Sequence, residues 1–477
     1  MMPLRRILSY LLATLLLTGI SFAELPPGTQ LETLSSNIDA IRLKHHVPAV
    51  AFILVSPDKV IYSNALGIRD RNTNQAATVN TLFRIGSITK AFTSLAMLKL
   101  QEQGKLSLSD PMSMYVNDAP LYNQWRKTHP VRIAHLLEHT SGLPDLTKAE
   151  FDSNDPAPLT LRQGLFFNKK PRHTRWPPGL HKSYTNVGAG YAAYVLEKVT
   201  GRRYEDFVKE NIFAPLEMKK AGFFLDQKTR RELATGYDTD GESVIPYWHM
   251  ILRPFGAINT TTREMGHFVQ MLLNRGIYKG KRLLQEASIA RMEKPETTLA
   301  ARAGLEYGYG LGNYQHVHKG FLFHGHGGDG DGYLAHYAYN RYTNLGYFVV
   351  INAFKHDALN TIRDKIEDYI IADSKPPGAK TVSVPIADLK ELTGTYQAVT
   401  YRFPGMSKAQ VKRDQVRVIL IDDILYSRTS EGKRTQLIPV TAKLFRRVND
   451  PVATIAFISY GNEMYLQGET GNYRRLK

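Results

Sequence analysis

The sequence contains no cysteine, which excludes a disulfide framework, a thiolate zinc site and a lipid-modified cysteine behind an export signal. Long apolar runs are scarce too. The main one, Ile7 to Ile20, has 14 residues, short of the about 20 needed to span a bilayer. It follows Arg5 and Arg6 and precedes the small residues Ser21 and Ala23, so residues 1–23 read as a secretory signal peptide, with an uncleaved membrane anchor as the alternative. A protein delivered this way is periplasmic or secreted and keeps no stable membrane span after cleavage. Acidic residues are in deficit: 44 Asp and Glu against 61 Lys and Arg give a net charge of +17. That excess favours anionic surroundings such as cell-envelope polymers. The basic residues are scattered and no nucleic-acid motif accompanies them, so nucleic acid is not an expected partner. Nothing in the sequence sets an oligomeric state.

What is present is an ordinary globular composition, 43% hydrophobic over 477 residues, long enough for two or three domains. Leu31, Leu34, Ile38 and Ile41 fall at helical spacing before Pro48, and Val50 to Val55 and Val60 to Ala65 flank a Ser56-Pro57-Asp58 turn as a strand hairpin. From Ser87 the pattern is helical until Gly104, and the chain to about 300 reads as helix and loop. Extended segments return at 309–316, 321–326, 333–339 and 346–352. Strands at both ends with helices between predict an α/β (α+β) domain, residues 24–373, whose antiparallel sheet is closed by its two ends. Ser374 to Gly378 has the composition of a linker, taken as 374–385. From 386 to 477 short apolar runs recur about every ten residues, such as Gln415 to Ile421 and Ala453 to Tyr460, which predicts a small β-barrel.

Three short motifs carry the chemistry. Ser87-Ile88-Thr89-Lys90 lies where a helix begins. A spacing of three sets the lysine nitrogen one turn from the serine hydroxyl, and a helix N-terminus favours negative charge developing on the oxygen. Tyr184-Thr185-Asn186 puts a phenol able to shuttle a proton near an amide able to hold a substrate carbonyl; the plainer alternative is an Asn that caps the next helix. Gly325-His326-Gly327-Gly328 ends an extended run, and its glycines allow substrate to lie against the backbone. A backbone N–H near Asp329, paired with that of Ser87, would form an oxyanion hole.

In this order and at these spacings, Ser87-x-x-Lys90, Tyr184-x-Asn186 and His326-Gly327-Gly328 resemble the three motifs of class C β-lactamases within the serine β-lactamase and penicillin-binding-protein-like family. Gly104 to Pro111, His135 to Pro144 and Thr260 to Met265 extend the resemblance over roughly 30 to 370. It implies the β-lactamase/DD-peptidase fold and acyl transfer without a cofactor or metal: Ser87 attacks a carbonyl, Lys90 and Tyr184 manage the protons, and water releases the acyl group. Asn186, His326, Gly327, Gly328 and Asp329 would bind substrate, a small molecule or peptide that could derive from the cell wall.

One departure bears on the substrate. Such enzymes usually carry Lys-Thr-Gly as the third motif, and here the cation position is His326, whose side chain ordinarily titrates at about 6.5 and offers no permanent charge. A substrate carboxylate would therefore be held only as pH falls towards 6. The histidine resembles the D-aminopeptidase and esterase branches, some with a C-terminal lipocalin-like barrel, so an ester or D-amino-acid amide is the expected substrate. A β-lactamase or DD-carboxypeptidase is one alternative, a non-hydrolytic penicillin-recognising protein another; intact Lys90 and Tyr184 favour turnover. A rival metal site is suggested by His316-Val317-His318 and His324-Gly325-His326, two His-x-His pairs on adjacent strands, but Lys319-Gly320 makes those strands a tight hairpin and the preferred reading is surface or satisfied histidines with no metal. Asp329-Gly330-Asp331-Gly332 reads as a turn rather than a calcium loop, because position twelve is Asn340.

Overall fold

The computed structural model describes residues 28–155, 157–403, 414–468 and 471–477; the segment read as a signal peptide lies outside them. In strand β1 (Ala49–Val55) all seven residues are buried, so both faces of the sheet need cover. Val50, Phe52 and Leu54 pack on Leu34 and Ile38 of the helix Gly28–Lys44 and on Ile362 and Ile366 of the helix His356–Ile371. Ala51, Ile53 and Val55 turn the other way, against Phe92, Met265 and Phe268. Each fully covered side chain of this kind stabilises the fold by about 1.5–3 kcal/mol.

The remaining strands of that sheet are β2 (Val60–Asp70), β3 (Gln75–Ala76), β4 (Tyr314–His318), β5 (Phe321–Gly330), β6 (Tyr333–Asn340) and β7 (Leu345–Ile351). Their order is β4-β5-β6-β7-β1-β2-β3, antiparallel throughout. Val50 lies opposite Ile351, so the two ends of the domain close the sheet, as the sequence pattern suggests. Two bounds differ from the sequence expectation. The run expected from 309 begins at Tyr314, and β5 continues past His326 to Gly330. The glycines Gly325, Gly327 and Gly328 lie within the strand, and at Gly325 neighbouring backbone leaves no room for a side chain: a Cβ would lie 2.0 Å from the Tyr337 carbonyl oxygen.

Residues 374–385 carry neither helix nor strand. Beyond them nine strands between Gly394 and Arg475 form one sheet. Its two edges are Arg434–Gln436 and Ile438–Pro439, separated only by Leu437, which brings the sheet round into a nearly closed barrel. Leu389, Tyr396, Val418, Phe445, Phe457 and Leu466 fill it. Its outer side packs on the first domain, where Ala456, Ile458 and Tyr465 meet Leu180, Leu299 and Tyr307. Gln467 bridges the junction: its Oε1 accepts from Ala300 N–H at 2.9 Å and its Nε2 donates to Leu180 O at 2.9 Å.

The two histidine pairs do not converge, and the described residues contain no group of three or more His, Cys, Asp or Glu placed to hold a metal ion. His316 is opposite Phe323 and His318 opposite Phe321, so alternation sends them to one face of the sheet and His324 and His326 to the other. His316 and His318 meet Glu367 and Asp368, whereas His324 stacks on Tyr339.

Candidate active site

The strand Leu82–Arg84 pairs with Asn259–Thr261 and aims the chain at the sheet. Arg84 fixes it there: its buried guanidinium pairs with Asp331, donates to Trp248 O at 2.6 Å and sits 3.9 Å from the Tyr247 ring centroid. Gly86 then takes φ +53°, a conformation that disfavours other residues, and opens the short 3₁₀ turn Gly86–Ile88 that feeds the helix Thr89–Glu102. The sequence reading had this helix begin at Ser87; its α-helical part begins two residues later. Strand β5 presses on the turn. A Cβ on Gly328 would lie 1.8 Å from Ile85 O, and one on Gly86 would lie 2.6 Å from the backbone nitrogen of Asp329. The Ser87 and Asp329 backbones thus come together, while the Asp329 side chain is exposed.

Ser87 is partly exposed among buried neighbours. Lys90 Nζ lies 3.0 Å from its Oγ, donates to Phe255 O at 2.9 Å and stands 5.0 Å from the Tyr184 ring centroid. The helix carrying Lys90 is enclosed almost all round, and burial holds the amine well below its usual lysine range, opposed by Asp145 and assisted by Arg402. A neutral amine so placed can accept the Ser87 proton. Burial raises the Tyr184 phenol, opposed by its hydrogen bond with Ser87 and by Arg402. The His139 ring lies 4.1 Å from the Tyr184 ring, centroid to centroid, and takes the Thr185 N–H on Nδ1 at 3.2 Å.

Asn186 stands at the start of the helix Val187–Thr200 but makes no side-chain cap. Asp145 fixes it instead: its carboxylate, with none of the side chain exposed, accepts from Asn186 N–H at 2.7 Å and from Asn186 Nδ2 at 3.2 Å. A flipped amide would set oxygen against carboxylate, so the orientation is determined. The atom left without a hydrogen-bond partner among the described residues is Asn186 Oδ1. One amide N–H is taken by Asp145, which leaves the second N–H of Asn186 Nδ2 for the substrate carbonyl that the sequence reading assigned to it.

His326 faces the same cluster, 2.8 Å from the Tyr309 hydroxyl and 6.4 Å between ring centroids from Tyr184. Burial, with Lys90 nearby, lowers its titration to about 3. Desolvation of this kind opposes the gain of charge expected towards pH 6, and sequence alone gives no measure of it.

Sequence reasoning thus brought together Ser87, Lys90, Tyr184, Asn186, His326 and the Gly327–Asp329 backbone. It missed Asp145, His139, Tyr309 and the Phe255 carbonyl, and also Arg402, whose Nε donates to Asp145 Oδ2 at 2.7 Å and whose guanidinium lies 4.7 Å from the Tyr184 ring centroid. Asp145 directly follows the segment His135 to Pro144 that carried part of the resemblance. Arg402 belongs to the barrel, and no local pattern marks it.

The β-lactamase family model matches residues 34–368. The chain is 28% identical over 236 residues to Protein flp of Staphylococcus aureus (strain MW2), spanning 48% of this chain and 46% of flp. Thus the match takes in under half the length of that relative. Two solved structures share the fold. The octameric penicillin-binding protein homologue from Pyrococcus abyssi has a TM-score of 0.59 at 22% identity over 93% of this chain and 100% of its own. The β-lactamase/D-alanine carboxypeptidase from Pseudomonas syringae has 0.58 at 17% identity over 73% and 100%. With the family model covering most of the chain and the Ser87–Lys90–Tyr184 cluster in one site, the protein belongs to the β-lactamase family of serine acyl-transfer hydrolases.

Proposed function

We propose that the protein is an exported serine hydrolase that forms a covalent acyl-enzyme on Ser87 and releases it to water, acting on a neutral ester or a D-amino-acid amide rather than a penicillin. The observation that carries the substrate class is the neutral, buried His326 at the third-motif position beside the Ser87–Lys90 pair. A fixed cation there would hold a substrate carboxylate by a charge-assisted hydrogen bond worth about 1.5–3 kcal/mol; a neutral imidazole lacks that term. Export rests on Arg5, Arg6 and the apolar run to Ile20, and a cell-wall-derived peptide is the natural amide in that compartment.

In the proposed reaction Lys90 takes the Ser87 proton as Oγ attacks the carbonyl carbon. The oxyanion is received by the Ser87 and Asp329 backbone N–H groups at the positive end of the helix Thr89–Glu102. Tyr184, whose ring stands 5.0 Å from Lys90 Nζ beside Ser87, passes a proton to the leaving group. Water then attacks the acyl carbonyl with the same groups in reverse. The second Asn186 Nδ2 hydrogen is left to hold a substrate carbonyl.

The test is a rate comparison at pH 8 with a p-nitrophenyl ester, a D-amino-acid anilide and a penicillin. The ester or anilide is expected to turn over faster. Faster penicillin turnover would overturn the substrate class and make β-lactamase the leading activity.

A further inference from the structure

The loop that leaves the first barrel strand, Gly394–Ala398, is fastened to the two segments that frame the active site. Tyr401 O accepts from Ser183 Oγ at 3.1 Å and from the Arg175 guanidinium, and Arg402 O accepts from Asp145 N–H at 3.2 Å. Asn472, on the last barrel strand, donates to Lys182 O at 2.8 Å and to Thr400 Oγ1 at 3.2 Å. Through its described residues the loop thereby delivers the Arg402 side chain to the site. Among the described residues, four donors reach the Asp145 carboxylate: Leu146 N–H at 2.8 Å, Asn186 N–H, Asn186 Nδ2 and Arg402 Nε. Only the last carries charge.

We propose that Arg402 is a positioning residue through which the barrel completes the acyl-transfer site: it balances the buried Asp145 carboxylate that orients Asn186, and its guanidinium covers Tyr184 beside the Ser87–Lys90 pair. This rests on Ser87 acyl transfer as proposed above.

The physical argument concerns what an unbalanced carboxylate does to Lys90. Among the described residues, the groups facing the cluster are Asp145 and His139 from the segment after Leu137, Arg175, Lys182 and Tyr184 from the loop before Val187, Tyr309 ahead of β4, His326 and Asp329 from β5, and Arg402 from the barrel. His139 and His326 are held neutral by burial. Around Lys90, Asp145 and Asp329 favour the ammonium form and Arg402 opposes it. Removing Arg402 therefore takes away the guanidinium that both pairs with Asp145 and opposes charge on Lys90, with Arg175 as the remaining cation beside Asp145, and so stabilises protonated Lys90, which cannot accept the Ser87 proton. The acidic limb of kcat/KM follows the titration of the base in the free enzyme, so it must move to higher pH. Removing the Asp145 charge must move it the other way. A purely structural bolt would lower the rate without these opposite displacements.

The experiment is a pH profile of kcat/KM for a p-nitrophenyl ester with the full-length chain and its Arg402→Met, Arg402→Lys and Arg402→Met/Asp145→Asn variants. Intact-mass detection of the Ser87 acyl adduct runs in parallel, and circular dichroism verifies folding. In Arg402→Met the acidic limb is expected to move up by about 1 pH unit, with about a tenfold loss below it. Arg402→Lys should retain most of the wild-type limb, and the double variant should return it to or below the wild-type position. A folded Arg402→Met variant with the wild-type limb would overturn the proposal, as would a double variant whose limb stays with that of Arg402→Met. If wild type itself forms no Ser87 adduct, serine acyl transfer fails, and the role of Arg402 fails with it. If wild type forms the adduct and Arg402→Met keeps the wild-type limb, only the role of Arg402 fails.

Discussion

Tyr309 donates its hydroxyl proton to His326 Nε2 across 2.8 Å, while His326 Nδ1 faces the Gly327 carbonyl. A carbonyl can only accept, so Nδ1 bears the hydrogen and Nε2 the lone pair. Both nitrogens of the neutral ring are satisfied, and a second proton would displace Tyr309 as well as charge a buried group. With titration at about 3, His326 stays neutral through the range where an exposed histidine would switch. The ratio of rates for a carboxylate-bearing and a neutral ester is therefore expected to stay flat from about pH 8 to about pH 5. A ratio that rises on acidification with a midpoint near 6 would restore His326 as a carboxylate anchor.

A second histidine reports on the junction with the barrel. His181 receives the Gln467 amide on Nδ1 at 2.7 Å, and burial lowers its titration to about 4. In the unfolded chain it binds a proton near pH 6.5. Between these values the unfolded state holds the extra proton, so stability falls as pH falls, by at most about 1.4 kcal/mol per pH unit, and the contribution is fully present above about 6.5. Replacing His181 with Asn keeps an acceptor for Gln467 without a titrating ring. The drop in unfolding midpoint between pH 7 and pH 5 is expected to be smaller in His181→Asn than in wild type; equal drops would show that His181 is protonated in the folded protein.

Lys90 depends on a turn held by a buried ion pair. Arg253 and Glu205 meet at 2.5 Å with side chains 5% and 4% exposed, and the turn Arg253–Phe255 presents the carbonyl to which Lys90 donates. Removing one partner of such a pair leaves the other charge uncompensated, at a cost of about 3–5 kcal/mol. Glu205→Ala is expected to lose stability in that range by urea denaturation and to lose hydrolytic rate as the Phe255 carbonyl shifts. A loss below about 1 kcal/mol with full activity would show that the turn is held by packing alone.

The sequence carried those parts of the site that are local. Ser87 and Lys90 are one helical turn apart, Tyr184 and Asn186 two residues apart, and the β5 glycines adjacent, so spacing alone placed each group near its partner. The barrel strand Gln415–Ile421 was legible to the residue from its alternating apolar pattern. Asp145, the Phe255 carbonyl and Arg402 were not legible, since they reach Asn186, Lys90 and Asp145 across 41, 165 and 257 residues. Pattern along the chain carries no information at such range. The chemical state of His326 was misjudged for a related reason: desolvation belongs to the folded surroundings of a side chain and is invisible in its identity.

Intact-mass spectrometry of the protein mixed with a slowly deacylating p-nitrophenyl ester reads the Ser87–Lys90 geometry most directly. Wild type is expected to gain the mass of one acyl group, mapped by peptide digestion to the segment holding Ser87. Lys90→Ala should gain it far more slowly and Ser87→Ala not at all, both with wild-type circular dichroism, since truncation at the serine removes a single oxygen and barely disturbs packing. An adduct that persists in Ser87→Ala, or hydrolysis near the wild-type rate without Ser87, would contradict a serine acyl-enzyme at this site.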